Sequence, residues 1–186
     1  MDEEEAWIRV REVIRTCFER VDRALTERAL AEPPNILFLA LAGRTGAINA
    51  RAERICDTIL GTFAPELFKP FFDDVRPLPK PFDFSGLLRG REYSVKVVSG
   101  EKAFNSSVRR TVAEASLNYV NPIILTVQGD YFEARTIGKA VWHSAPASWR
   151  MVAGPKAYAK FKDIVFEEAR PFREAIIAKI IAAREA

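Results

Sequence analysis

The chain contains one histidine, His143, and only two cysteines, Cys17 and Cys56. That scarcity removes several chemistries at once. Histidine-based metal clusters, histidine–metal nuclease sites and paired-histidine phosphodiesterases all need more than one His. A Cys/His zinc site cannot be assembled from one His and two distant cysteines. Two cysteines in helix-like segments make no disulfide framework, and they read as reduced, half-buried thiols of a cytoplasmic protein. Long apolar runs are missing too. The longest, Ile36 to Ala42, is too short to span a bilayer. The opening MDEEEAW has neither the basic nor the apolar region of a signal peptide. The expectation is an intracellular, soluble protein with no membrane partner. Any hydrolytic chemistry must then rest on carboxylates, lysines or hydroxyls.

Charge of one sign is also in short supply. The 28 basic and 25 acidic residues leave a net +3, far less than a protein that coats nucleic acid non-specifically carries. The distribution is more telling: Met1 to Glu5 is acidic, while Arg89, Arg91, Lys96, Lys102, Arg109 and Arg110 gather mid-chain. With 186 residues, 48% of them apolar and 28% charged, the chain suits one ordinary globular domain over 1–186.

Trp7, Val10, Ile14, Cys17, Val21 and Leu25 recur at helical spacing, which predicts a helix from Glu4 to about Ala31 ended by Pro33-Pro34. Asn35 is positioned to cap a short helix through Ala42. Gly43-Arg44-Thr45-Gly46 lacks the spacing and Lys-Ser/Thr of a phosphate loop and reads as a turn before a third helix to Leu60. Residues 61–81, rich in Pro and Phe, read as irregular. Strands follow at 82–88 and 92–98 about a tight Arg89-Gly90-Arg91 turn, then a helix over 105–119 capped by Asn105 or Ser106. A hairpin over 122–137 about Gly129-Asp130, a short strand at 139–143 and a helix from Pro155 with a break at Pro171 complete the pattern. A helical part (1–61), a sheet core (82–143) and a C-terminal helix (155–186) make an α/β fold with a mixed central sheet flanked by helices.

Alternation along the two central strands places Tyr93, Val95 and Val97 on one face and Glu92, Ser94 and Lys96 on the other. Phe82 and Phe84 likewise oppose Asp83 and Ser85. Antiparallel pairing about the turn sets Asp83 roughly opposite Lys96. Phosphodiester hydrolysis uses such a pair: a carboxylate holds a divalent cation, and a nearby ammonium orients the nucleophile or stabilises charge on phosphorus. Mg²⁺ keeps several waters and accepts one or two carboxylates plus a carbonyl, for which that of Val95 is suited.

The order Asp83, then Ser94-Val95-Lys96 eleven positions later, resembles the PD-(D/E)xK nuclease core, in which an Asp on one strand precedes an acidic-x-Lys triplet on the next. The continuation from Lys96 through Ser99, Gly100 and Asn105-Ser106-Ser107 into a helix resembles type II restriction endonucleases in particular. The matching stretch covers about residues 82–120. Phe82 stands where the family has proline, and Ser94 stands where it has a second acidic ligand. Some members with Ser-Val-Lys recruit a glutamate from a neighbouring helix, for which Glu53 and Glu114 are equal candidates. Glu92 lies about 6.6 Å of strand from Ser94 and misses the metal. The resemblance implies a restriction-endonuclease-like fold that cuts double-stranded DNA with Mg²⁺, with Asp83 as ligand and Lys96 acting on the attacking water. It also implies a homodimer, since two active sites cut the two strands of a palindrome. Ser99, Lys102, Asn105, Ser106, Ser107, Arg109 and Arg110, before and within a helix start, are candidate DNA contacts.

Each feature has a plainer account. Asp83 and Lys96 could form an ordinary cross-strand ion pair. Glu114 sits four residues after Arg110, and Glu53 sits between Arg51 and Arg54, as on any helix surface. Trp142, His143 and Trp149 read as packing residues, and Asp73-Asp74 as a rival carboxylate pair in an irregular segment. The competing functions are a repair or junction nuclease on the same fold, a DNA-binding protein whose nuclease site has decayed, and an interaction domain without nucleic acid.

Overall fold

The central hairpin forms where alternation predicts it. In a computed structural model, which describes residues 2–25 and 36–185 with side chains at 2–25, 49–179, 181 and 182, strands β2 (Phe84–Leu88) and β3 (Arg91–Val98) pair antiparallel from Leu88↔Arg91 to Phe84↔Val95. Arg89 and Gly90 make the two-residue turn. Their φ values of 53° and 76° are both positive, as a type I′ turn requires to match the twist of the strands.

Four more strands extend this ribbon into a six-stranded mixed sheet of order β1-β2-β3-β4-β6-β5. β1 (Asp73–Pro77) pairs antiparallel with β2, and β4 (Pro122–Thr126) runs parallel to β3 after the connecting helix α3 (Ser106–Ala115). β6 (Ala140–Trp142) runs parallel to β4 and antiparallel to β5 (Arg135–Ile137). The expected hairpin over 122–137 is therefore replaced. Every residue of β4 is buried, as befits a central parallel strand, and its partners are β3 and β6. The tight turn falls instead at Gly138-Lys139, between β5 and β6. Gly129 has both backbone groups bound by the Tyr158 hydroxyl, at 3.2 and 3.0 Å.

Helices flank the sheet. α1 (Glu3–Ala24) begins with Glu3, Glu4 and Glu5 at the positive end of its dipole. The expected end of this helix at Pro33-Pro34 and the cap at Asn35 lie outside the described residues. α2 (Ile36–Phe68) is continuous through Gly43–Gly46, where a turn was expected, and runs beyond Leu60 with Pro65 inside it. Burial of Ala64, Leu67 and Phe68 offsets the backbone hydrogen bond that Pro65 forfeits. α4 (Ala145–Ala153) occupies a stretch that the sequence reading left unassigned, and α5 (Ala157–Glu185) passes through Pro171 as one helix. Among the described residues no helix is long and apolar enough to cross a membrane.

The chain divides into two compact units: a sheet unit of Met1–Val10 and Phe63–Asp163, and a helical unit of Arg11–Thr62 and Ile164–Ala186. In the sheet unit an aromatic cluster surrounds the fully buried Trp149. Trp7 stacks on it at 5.7 Å and Phe161 at 4.4 Å, Phe68 meets it tilted at 4.6 Å, and the Trp149 indole N–H donates to the Val127 carbonyl at 2.9 Å. A second cluster packs Val112 of α3 onto Val98, Ile124, Ala140 and Trp142. Trp142 and Trp149 are thus core residues, as expected. In the helical unit Val21 and Leu25 meet Ala52, Ile55, Ile59 and Ile176. There the buried Glu168 accepts from Arg11 at 2.7 Å and Arg15 at 2.8 Å, and Lys179 pairs with Asp22. Both cysteines are free. Cys17 is half-buried, its thiol pushed up to about 11 by burial, whereas Cys56 is exposed rather than half-buried.

Candidate active site

Asp83 immediately precedes β2, one residue beyond the Phe84↔Val95 pair, and its backbone N–H donates to the Val95 carbonyl at 2.9 Å. Continued by one step, the register sets Asp83 across from Lys96. The side chains meet: Lys96 Nζ lies 3.1 Å from Oδ1 and 3.2 Å from Oδ2, and the Val97 N–H donates to Oδ2 at 2.7 Å. Lys80 Nζ stands 4.0 Å from Oδ1. Two hydrogen-bond donors and a further ammonium group therefore stand around a carboxylate that is 9% exposed.

The surrounding face differs from expectation. Lys96 pairs in register with Ile124, and Ile124 with Trp142, so Asp83, Lys96, Ile124 and Trp142 form a row across four adjacent segments of the sheet. Ile124 and Trp142 are buried under α3. The face carrying Ser94 and Lys96 is thus largely covered, and the ion pair on it is itself shielded, Asp83 to 9% exposure and Lys96 to 16%. Ser94, expected on a polar face, is 3% exposed. Phe82 also departs from its expected place beside Phe84. Because β2 starts only at Phe84, Phe82 turns into the α3 cluster, 4.5 Å from the Tyr119 ring, while Phe84 meets Phe72.

Both candidates for a second carboxylate, Glu114 and Glu53, have exposed side chains. Val108, Val112 and Ala115 form the packed side of α3, and Glu114, exposed, lies off that side. Glu53 belongs to the helical unit, where its side chain is exposed. Among the described residues no group of three or more His, Cys, Asp and Glu gathers as metal ligands. Asp73 and Asp74 lie on the exposed strand β1. The donors at hand for a cation are the Asp83 oxygens and the Val95 carbonyl, which keeps one lone pair after accepting from Asp83. That set is small, one carboxylate and one carbonyl, and a Mg²⁺ ion held by it would have to keep most of its waters.

Of the candidate contact residues, Asn105 caps α3 as expected, its side-chain oxygen accepting from Val108 N–H at 3.1 Å. Ser106 and Ser107 open the helix, and with Lys102 and Arg110 they are exposed. Ser99 is buried, and its carbonyl accepts from Gln128. Arg109 has packing duties: Nε donates to the Phe104 carbonyl at 2.7 Å and the guanidinium lies 4.7 Å over the Trp142 ring. Arg135 covers the same ring at 5.3 Å and pairs with Glu101 at 2.7 Å. His143 is held below its usual range by burial and by Arg150. Sequence reasoning passed over Lys80, although its place three residues before Asp83 was the available signal.

No protein-family model matches the chain, and no curated protein matches its sequence.

Proposed function

We propose that the protein is a Mg²⁺-dependent endonuclease that hydrolyses double-stranded DNA at specific sites, with a fold of the restriction-endonuclease type. One observation carries the reading: a shielded Asp83 carboxylate forked to Lys96 of the next strand, on a largely covered sheet face. Asp83 before one strand and the Ser94-Val95-Lys96 triplet on its neighbour supply the spatial order that the resemblance demands. The mixed sheet, with α3 connecting parallel β3 and β4, is compatible with it.

In this reading Asp83 and the Val95 carbonyl hold the cation. Bound Mg²⁺ supplies Lewis acidity toward a phosphoryl oxygen and a more acidic water. Lys96 gives Asp83 its counter-charge when the cation is absent and turns its N–H donors to the attacking water or the phosphoryl oxygens when it is present. The buried face excludes water behind the pair, which strengthens these charge interactions. Ser94 serves as a neutral spacer rather than a ligand. A homodimer would present two such sites to the two strands.

A second reading has its own support. Ser94 in the acidic position and Glu114 on the exposed side of α3 suit a DNA-binding protein that no longer cuts. Incubation of the purified protein with long unmethylated DNA separates the two. Discrete fragments formed with Mg²⁺ but not with EDTA support the nuclease, and binding without cleavage under any metal supports the decayed site.

A further inference from the structure

Lys80 approaches the site carboxylate from the solvent side. Its side chain is 88% exposed, against 16% for Lys96. The two lysines differ in what they have left to give. Lys96 bonds both Asp83 oxygens, whereas Lys80, at 4.0 Å, is beyond hydrogen-bond length and keeps its three donors for another acceptor. An exposed pair of this kind contributes about 0–1 kcal/mol, so stability does not account for it.

The backbone under Lys80 is fixed. Pro79 and Pro81 flank it, and the Leu78 N–H closes the turn onto the Asp83 carbonyl at 3.2 Å. The Tyr119 hydroxyl donates to the Pro79 carbonyl at 3.3 Å, and Phe82, fully buried, anchors the exit against the Tyr119 ring. A rigid turn thus holds a solvent-facing cation beside a carboxylate that would otherwise repel an arriving phosphodiester.

We propose that Lys80 is a phosphate-binding residue, contacting the DNA backbone at the mouth of the Asp83–Lys96 site. The inference rests on the nuclease reading and adds a substrate contact to it. The test is binding of a fluorescent mixed-sequence DNA duplex, in Ca²⁺ without Mg²⁺, across a salt series for the unaltered protein, Lys80→Ala and Lys80→Arg. Loss of one phosphate contact makes the negative slope of log K against log salt shallower by about 0.9. Near physiological salt the Ala variant should bind about two- to fivefold more weakly, with the Arg variant restoring both values. Because the side chain is exposed, thermal stability should stay unchanged and serves as the folding control. An unaltered slope in Lys80→Ala overturns the assignment of Lys80 while the unaltered protein's binding still stands. A slope that Arg fails to restore assigns the effect to the turn and also overturns it. No DNA binding by the unaltered protein overturns this inference and the nuclease reading together.

Discussion

Lys96 Nζ sits almost equidistant from the two oxygens of Asp83, at 3.1 and 3.2 Å, across the pair of segments that the Arg89-Gly90 turn folds together. The relationship has a structural consequence independent of catalysis. Removing the ammonium leaves a 9%-exposed carboxylate with the Val97 N–H as its nearest bonded donor.

Lys96→Met should therefore cost about 1–3 kcal/mol, the range for losing a hydrogen bond to a buried charged group. Asp83→Asn keeps an acceptor for the Val97 N–H and should cost less. Urea unfolding of the two variants checks the order. Equal stability of Lys96→Met and the unaltered protein would show that the pair is open in solution.

Glu168 sets an acid limit on the helical unit. Hydrogen bonds from Arg15 and Arg11 hold its carboxyl below the ordinary 4.5. A lowered folded pKa contributes stability that is complete above the unfolded value and is lost as pH falls through the folded one. Glu168→Gln should lose about 1–3 kcal/mol near neutral pH, and the gap should narrow below about pH 4. Denaturation curves at a series of pH values test this; a constant gap contradicts it.

Gly138 adopts φ +62°, and a Cβ there would meet the Ala113 carbonyl oxygen at 2.4 Å and Ser116 Oγ at 2.5 Å. Ser116 Oγ itself bridges the Ala113 carbonyl and the Lys139 N–H, at 2.7 and 2.8 Å. Gly138→Ala should destabilise by about 2–4 kcal/mol, from left-handed strain plus overpacking against α3. A melting temperature within a degree or so of the unaltered protein would show that the hairpin can part from α3 freely.

Arg109 should behave as a packing residue. Losing its bond to the Phe104 carbonyl and its contact with Trp142 should cost about 1–2 kcal/mol in Arg109→Ala. Lysine, lacking the planar fork, should recover little of that. Full recovery in Arg109→Lys would make charge alone the relevant property.

What the sequence revealed followed where apolar and polar residue types alternated. Tyr93, Val95 and Val97 against Ser94 and Lys96, with a two-residue turn before them, made the β2–β3 hairpin and the Asp83–Lys96 encounter legible. Asn105 announced the start of α3 through capping chemistry. Other elements carried no such signal. All five residues of β1 are exposed, so this edge strand shows no alternation. All five of β4 are buried, so periodicity could not say which strands it joins. Gly129-Asp130 carried the local chemistry of a hairpin turn, yet the Tyr158 hydroxyl binds it from a distant helix. The covered surroundings of Ser94 depend on Ile124 and Trp142, which long-range pairing brings alongside.

In the proposed function Asp83 and Lys96 cut DNA. The most direct test compares the unaltered protein with Asp83→Ala and Lys96→Ala on long unmethylated DNA, with Mg²⁺ or with EDTA, after checking that all three are folded. Discrete fragments are expected from the unaltered protein with Mg²⁺ alone, and none from either variant. Cleavage that persists in both variants would contradict the proposal and move the active site elsewhere in the chain.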